Sequence, residues 1–204
     1  MADTNKRSPS GEPILRHQTV DRPFQPAVAD DAAAKRITAH IERNIGEITG
    51  VFHEIVSDLV HIDVHVVAPT ADRNYYTLVT SGMSDLPMQT PPGAEDFRYA
   101  ELMMCLPATW KISNEDFEDE RNYWPIRWMK TLARLPHEHK TWLYLGHTIP
   151  NGDPAEPYAD NTEFSCLLLS IPKQVVSLKD FFSLPISEDK TIHFYGVIPI
   201  YPEE

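Results

Sequence analysis

Residues 51–88 alternate between hydrophobic and polar side chains in the manner of β-strands. The clearest alternation puts four aliphatic residues on one face of a strand: Val60, Ile62, Val64 and Val66. Successive side chains of a strand point to opposite faces, so His61, Asp63 and His65 are predicted to share the other face. This pattern is typical of a half-buried strand with one face against the core.

Neighbouring segments extend this strand into an antiparallel meander. Residues 51–56 precede it, and the intervening Ser57-Asp58 suits a tight hairpin. Residues 74–81 follow a loop at 69–73 and are rich in Tyr, Thr and Val, which favour strands. The rest of the chain is therefore expected to cover the apolar face of the meander.

Helices are predicted before and after the meander. An apolar stripe typical of a helix follows Asp30 at every fourth residue: Ile37, Ile41 and Ile45. Ser113 with Asp116 predicts a capped helix start. Pro125 is expected to start a second helix there, because proline costs no hydrogen bond in a first turn. A short helix or turn is predicted at 177–184.

Four more apolar segments are predicted to be strands: 99–106, 141–146, 163–171 and 191–200. With the meander they give about seven strands, so the predicted fold class is α+β, with a central antiparallel-led mixed sheet and helices packed around it. Residues 1–29 are polar and rich in proline and are expected to form a flexible tail. Residues 30–204 are then one domain.

Composition and charge limit the function classes. No apolar run approaches the ~18 residues of a membrane span, and the first residues lack the apolar core of a secretion signal. Cys105 and Cys166 lie in apolar segments typical of buried free thiols, which suits a cytoplasmic protein. The net charge of −12 argues against binding to nucleic acid, which requires a basic surface, and suits a basic protein partner.

The strand face with His61, Asp63 and His65 is the most specific candidate for a metal-binding or catalytic site. Imidazoles and carboxylates are ligands of zinc and iron, and His53 on the paired strand could add a fourth. One strand rarely supplies three ligands to one ion, however, and a polar strand face needs no metal. The favoured interpretation is that the protein binds no metal and no cofactor. The sequence has no G-x-S-x-G and no G-x-x-x-x-G-K-[ST] motif, so the protein is not expected to be an enzyme.

Several separate motifs occur in order along the chain. They are VFHEIVSDLVHIDVHVV, NYYTLVTSGMSD, LPMQTPPG, WPIRW, LPHE, GHTIPNG and VIPIY. Together they resemble the suppressor of fused family over about residues 35–202. At this length the chain is similar to the single-domain bacterial members. The resemblance implies a central sheet with helices packed around it.

The resemblance also implies protein binding without catalysis. In the animal relatives this domain helps to clamp a short transcription-factor peptide beside a strand, with a second domain on the other side. For bacterial members it implies an immunity role, in which the protein sequesters a toxin domain, and the negative charge suits a basic one. The alternatives are a regulatory scaffold for a transcription or signalling protein, and a metal-dependent enzyme that uses His61, Asp63 and His65.

Long proline-rich loops at 82–97 and 147–162 are expected to frame the partner-binding surface, because long loops are often functional. The first loop matches the family's partner-facing region. Apolar residues are expected to pin it to the domain: Met83, Leu86 and Met88. An acidic turn at 115–120 would add charge, and Tyr158 is expected to be an aromatic anchor for the partner. The candidate partner-binding residues are Asp85, Gln89, Glu118, Asp119, His147, Asp153 and Tyr158.

Overall fold

The computed structural model describes residues 22–201, together with residues 7, 11 and 14–17. The strands in this part of the chain are β1 Ile48–Phe52, β2 Asp63–Val67, β3 Tyr75–Ser81, β4 Ala100–Pro107, β5 Thr148–Pro150, β6 Cys166–Ser170, β7 Ser183–Ser187 and β8 Lys190–Ile200. The α-helices are α1 Asp31–Asn44, α2 Glu120–His139 and α3 Leu178–Phe181. Short 3-10 turns lie at Met83–Asp85, Glu95–Phe97 and Asp116–Glu118. No helix of the described residues is long and apolar enough to cross a membrane.

The strands form one sheet in the order β1-β2-β3-β4-β8-β6-β5, with β7 paired to β8. Neighbouring strands run antiparallel, except that β4 and β8 are parallel. The predicted α+β class, with a mixed sheet in which most neighbouring strands are antiparallel, is therefore confirmed. The predicted meander is confirmed as β1, β2 and β3.

The predicted tight hairpin at Ser57-Asp58 is wrong. β1 and β2 are joined by a loop over residues 53–62. Within this loop Glu54 Oε2 accepts the main-chain N–H of Ile62 at 3.2 Å. A side-chain carboxylate thus satisfies a main-chain donor that a tight hairpin would have paired with the other strand.

The sheet is buried on both faces. On one face α2 covers a hydrophobic cluster that contains all the predicted aliphatic positions: Val60, Ile62, Val64 and Val66. On the other face α1 and α3 contribute to a smaller cluster through Ile37, Ile41 and Phe181. In β4, Leu102 belongs to the first cluster and Met103 to the second, which confirms that this strand is buried on both faces.

Helix α2 runs through Pro125 without a break, so the prediction that Pro125 starts a second helix is wrong. Asp119 caps the helix, and its carboxylate accepts the N–H of Arg121 at 3.0 Å. Pro125 has no N–H to donate to the carbonyl of Arg121. The side chain of Asn161 donates to that carbonyl at 3.5 Å instead, so a distant loop replaces the missing helix hydrogen bond.

The predicted strand at 141–146 is also wrong, and β5 lies inside the predicted loop 147–162. The main-chain N–H of Leu143 donates to Sδ of Met88 at 3.4 Å, so it is not available to a neighbouring strand. Met88 is 4% exposed, which confirms that this part of the first loop is pinned to the domain.

The predicted flexible tail, residues 1–29, lies partly outside the described residues, which omit 1–6, 8–10, 12–13 and 18–21. Its described parts contact the domain. The guanidinium of Arg22 donates to Asp58 at 2.8 Å, and Nε of Arg16 donates to Asp153 at 3.0 Å.

Candidate functional site

The N-terminal end of α2 carries a group of acidic side chains. The 3-10 turn before the helix leaves Glu115 and Glu118 exposed. Asp119 accepts hydrogen bonds from the Arg121 guanidinium, with Nε and Oδ2 2.8 Å apart. These hydrogen bonds hold the pKa of the Asp119 carboxyl below its usual range. The helix cap therefore fixes one carboxylate in its ionised form at this end of α2.

The loop 147–162 adds a further carboxylate to this end. Asn161 donates to the carbonyl of Arg121, and the exposed Asp160 lies next to it in the chain. Hydrogen bonding to Asp119, together with the charges of Asp119 and Asp160, raises the pKa of the Arg121 guanidinium. We use the term acidic surface for the group formed by Glu115, Glu118, Asp119 and Asp160.

Tyr158 holds this loop against α2 and is not a surface anchor. Its ring stacks on Trp124 with centroids 5.2 Å apart and an interplanar angle of 9°. It meets Trp128 edge to face at 4.8 Å. Contact with both indoles buries the ring, which is 3% exposed, so Tyr158 does not offer a partner the aromatic anchor that was predicted. This packing places Asp160 near Arg121.

Asp85 lies apart from the acidic surface. The 3-10 turn that contains Asp85 lies near the C-terminal end of α2. There, Nε2 of His137 donates to the carbonyl of Met83 at 2.9 Å. A helix rises about 1.5 Å per residue, so Asp119 and His137 are separated by about 27 Å along α2. The structure therefore brings Glu118 and Asp119 together, but not Asp85 with them.

The remaining predicted partner-binding residues occupy separate positions. Gln89 is exposed on the first loop. His147 is half-buried edge-on to Trp142 at 5.3 Å, and burial lowers its pKa. Asp153 is exposed and paired with Arg16. None of the hydrogen bonds or ring contacts in the described residues joins Gln89, His147 or Asp153 to the acidic surface.

A buried carboxyl organises the turn that contains Asp85. Glu101 is 0% exposed, and its Oε1 accepts the N–H of Gly82 at 3.0 Å, and the N–H and hydroxyl of Ser84 at 3.0 and 2.7 Å. Its Oε2 accepts the hydroxyl of Thr80 at 2.6 Å. Burial raises the pKa of Glu101 to about 7 and that of Asp85 to about 6. Glu101 is absent from the residues predicted to be important, although a lone charge in an apolar strand is a usable signal.

The predicted metal-ligand set is rearranged in the structure. Nδ1 of His53 and Nε2 of His61 each lie 3.0 Å from Oδ1 of Asp63, and the three atoms lie within 4.8 Å of one another. His65 is buried beside Ser81, 2.9 Å from its hydroxyl, and burial lowers its pKa. The grouping of His61 and Asp63 with His65 is therefore wrong, because His61 precedes β2 and the β1–β2 loop brings His53 close. We use the term His–Asp cluster for His53, His61 and Asp63.

Ser57 lies 2.7 Å from Nδ1 of His61, but the pair is not arranged for nucleophilic catalysis. The Ser57 hydroxyl donates its single proton to Oε2 of Glu54 at 3.0 Å. The Glu54 carboxylate also accepts a hydrogen bond from the Arg134 guanidinium. The Ser57 oxygen therefore accepts Nδ1–H of His61, so in this arrangement His61 cannot take a proton from Ser57.

Sequence and structure comparisons bear on the family of this chain. A family model described as suppressor of fused protein (SUFU) matches residues 58–204. The chain belongs to the suppressor of fused family. This suppressor of fused protein is also similar to a crystal structure of a suppressor of fused homologue from Neisseria gonorrhoeae FA 1090, with a TM-score of 0.54 and 15% identity over 85% of this chain and 78% of that chain. At this identity the likeness concerns the fold alone. None of the curated proteins matches the chain.

Proposed function

We propose that this suppressor of fused protein is a non-catalytic protein-binding module, and specifically an immunity protein that sequesters a basic toxin domain. The observation that carries the proposal is the acidic surface, where Asp119 at the start of α2 and Asp160 from a separate loop both act on Arg121. The sequestering role is what the family resemblance implies for bacterial members.

The carboxylates of the acidic surface are largely free to act on a partner. Among the described residues, Glu115, Glu118 and Asp160 make no ion pair, whereas Asp119 is paired with Arg121. Adjacent like charges produce a local field that raises the encounter rate with a basic protein. The net charge of −12 acts in the same direction at longer range.

A basic toxin domain that cleaves nucleic acid provides the complementary surface. Such a domain needs basic side chains to bind its polyanionic substrate. An acidic surface can occupy those side chains and exclude the nucleic acid. The helix cap holds the Asp119 carboxylate, and the packing of Tyr158 against Trp124 and Trp128 holds the loop that carries Asp160, so binding orders few additional main-chain groups.

The non-catalytic part of the proposal is supported by the state of the nucleophilic side chains. Burial raises the pKa of the Cys105 thiol to about 11 and also raises that of Cys166. Both are therefore protonated at neutral pH and are poor nucleophiles. Ser57, the hydroxyl beside His61, donates its proton to Glu54 and has no base to activate it.

Co-expression tests this proposal. The probe is the basic domain encoded by the reading frame adjacent to that of this chain, produced in a bacterial host under separate control. We expect the domain alone to stop growth, and co-expression to restore growth and give a complex that dissociates as salt concentration rises. A complex without any effect on growth would rule out the immunity role. The absence of both complex and rescue would rule out binding of this partner as well.

A further inference from the structure

We infer that the His–Asp cluster binds a divalent transition metal, with Zn²⁺ the best match to its donors. The ligands are Nδ1 of His53, Nε2 of His61 and Oδ1 of Asp63. Imidazole nitrogens and a carboxylate oxygen are the donor set of many zinc sites with three protein ligands. The inference is independent of the acidic surface and of the proposed toxin partner.

Two of the three distances within the cluster suit a small cation. Ligand atoms around a tetrahedral zinc, with bonds of about 2.0–2.1 Å, lie about 3.3 Å from one another. Oδ1 of Asp63 lies 3.0 Å from a ring nitrogen of His53 and 3.0 Å from one of His61. Neither contact has hydrogen-bond geometry, and this oxygen is buried without a hydrogen-bond partner. A cation shared with the ring nitrogens would satisfy it.

The surrounding hydrogen bonds indicate which ring nitrogen of His61 carries a proton. Because Ser57 donates its proton to Glu54, its oxygen accepts Nδ1–H of His61. With that proton on Nδ1, the neutral imidazole has its lone pair on Nε2, which faces Oδ1 of Asp63, also an acceptor. Two acceptors at 3.0 Å repel each other, whereas both attract a metal ion placed between them. Metal-binding histidines commonly have the other ring nitrogen held by such a hydrogen bond.

Lys130 lies beside the cluster, so its replacement gives a second test of metal binding. Its ammonium donates to the carbonyl of His53 at 3.2 Å and is attracted by the charge of Asp63. A neighbouring cation opposes metal binding, so Lys130→Gln is expected to strengthen it. His53 and Lys130 also line a cavity of about 450 Å³ together with Phe117 and Tyr123. The cavity therefore opens beside His53.

The test is isothermal titration calorimetry of the full chain with Zn²⁺, after removal of metal by a chelator. Co²⁺ absorption in the visible range reports tetrahedral coordination in the same samples. We expect the wild-type chain to bind a single Zn²⁺, and His53→Ala to abolish stoichiometric binding. The His53 side chain is 67% exposed, so this variant keeps the fold. Ser57→Ala, which removes the hydrogen bond that orients His61, is expected to weaken binding about 10- to 100-fold.

His65→Ala is the matched control, because His65 lies in β2 but is hydrogen-bonded beside Ser81. It is expected to leave the affinity unchanged within about threefold. Circular dichroism of each variant verifies the fold, and His147→Ala serves as a second control away from the cluster. The inference is overturned if the wild-type chain binds no Zn²⁺, or if binding survives His53→Ala.

Discussion

Replacing Glu101 with alanine is expected to lower the free energy of unfolding by about 4 kcal/mol. The Glu101 carboxyl accepts the main-chain N–H groups of Gly82 and Ser84 and the hydroxyls of Ser84 and Thr80. The hydroxyls can rotate to other acceptors, but the N–H groups cannot. Each buried donor left without a partner costs about 1–3 kcal/mol. The truncated side chain also leaves a cavity under the turn, which adds to the loss.

Urea unfolding followed by tryptophan fluorescence measures this change. Glu101→Gln keeps an oxygen for the N–H groups of Gly82 and Ser84, so we expect a loss of only about 1–2 kcal/mol. Glu188→Ala removes an exposed carboxylate and should change stability by less than about 0.5 kcal/mol. Equal losses for the alanine and glutamine variants of Glu101 would mean that the hydrogen bonds are not the source of its stabilising effect.

Gly82→Ala is expected to cost at least about 3 kcal/mol. Gly82 has a φ of +103°, and a Cβ at this position would lie 1.8 Å from the carbonyl oxygen of His61. The clash is with main chain, so it cannot be relieved by moving a side chain. Separating the two segments would also break the hydrogen bond from Gly82 to Glu101. The variant therefore disturbs both the β1–β2 loop and the turn that contains Asp85.

Gly93→Ala is the matched control for this variant. Gly93 has a φ of +89°, but a Cβ there would meet nothing within 4 Å. It isolates the cost of the left-handed conformation, which is about 1–2 kcal/mol. The difference between the two variants in urea unfolding then measures the close approach of Gly82 to His61. A difference of zero would show that this approach contributes nothing to stability.

Local sequence patterns predicted the structure correctly where it depends on a few consecutive residues. The alternation from Val60 to Val66 predicted the core face of β2 and the residues before it, because a strand's period is two residues. The prediction failed at Pro125, where the preference of proline for a first turn indicated a helix start. The compensation comes from Asn161, which is distant in sequence and has no local signal.

The candidate site depended more strongly on tertiary contacts. Glu118 and Asp119 were predicted from the acidic turn before a helix, but Asp160 was not. Its position follows from the burial of Tyr158 against α2, which a polar, proline-rich segment does not indicate. His53 was predicted as a possible fourth ligand from a paired strand, but it lies in the loop after β1, and its place beside Asp63 depends on where β2 begins.

The most direct test of the acidic surface compares two charge reversals by surface plasmon resonance. The immobilised ligand is the same basic domain, encoded by the reading frame adjacent to that of this chain. One variant combines Glu118→Lys with Asp160→Lys. The other combines Glu47→Lys with Glu188→Lys, which changes the net charge equally at exposed positions elsewhere.

Because the two variants have the same net charge, any difference between their association rates must come from where the substituted charges lie. We expect the reversal at Glu118 and Asp160 to slow association at least about tenfold at low salt and to flatten its salt dependence. The reversal at Glu47 and Glu188 should change the association rate by less than about threefold. Equal effects of the two reversals, or an unchanged rate for the first, would mean that the partner does not dock at the acidic surface.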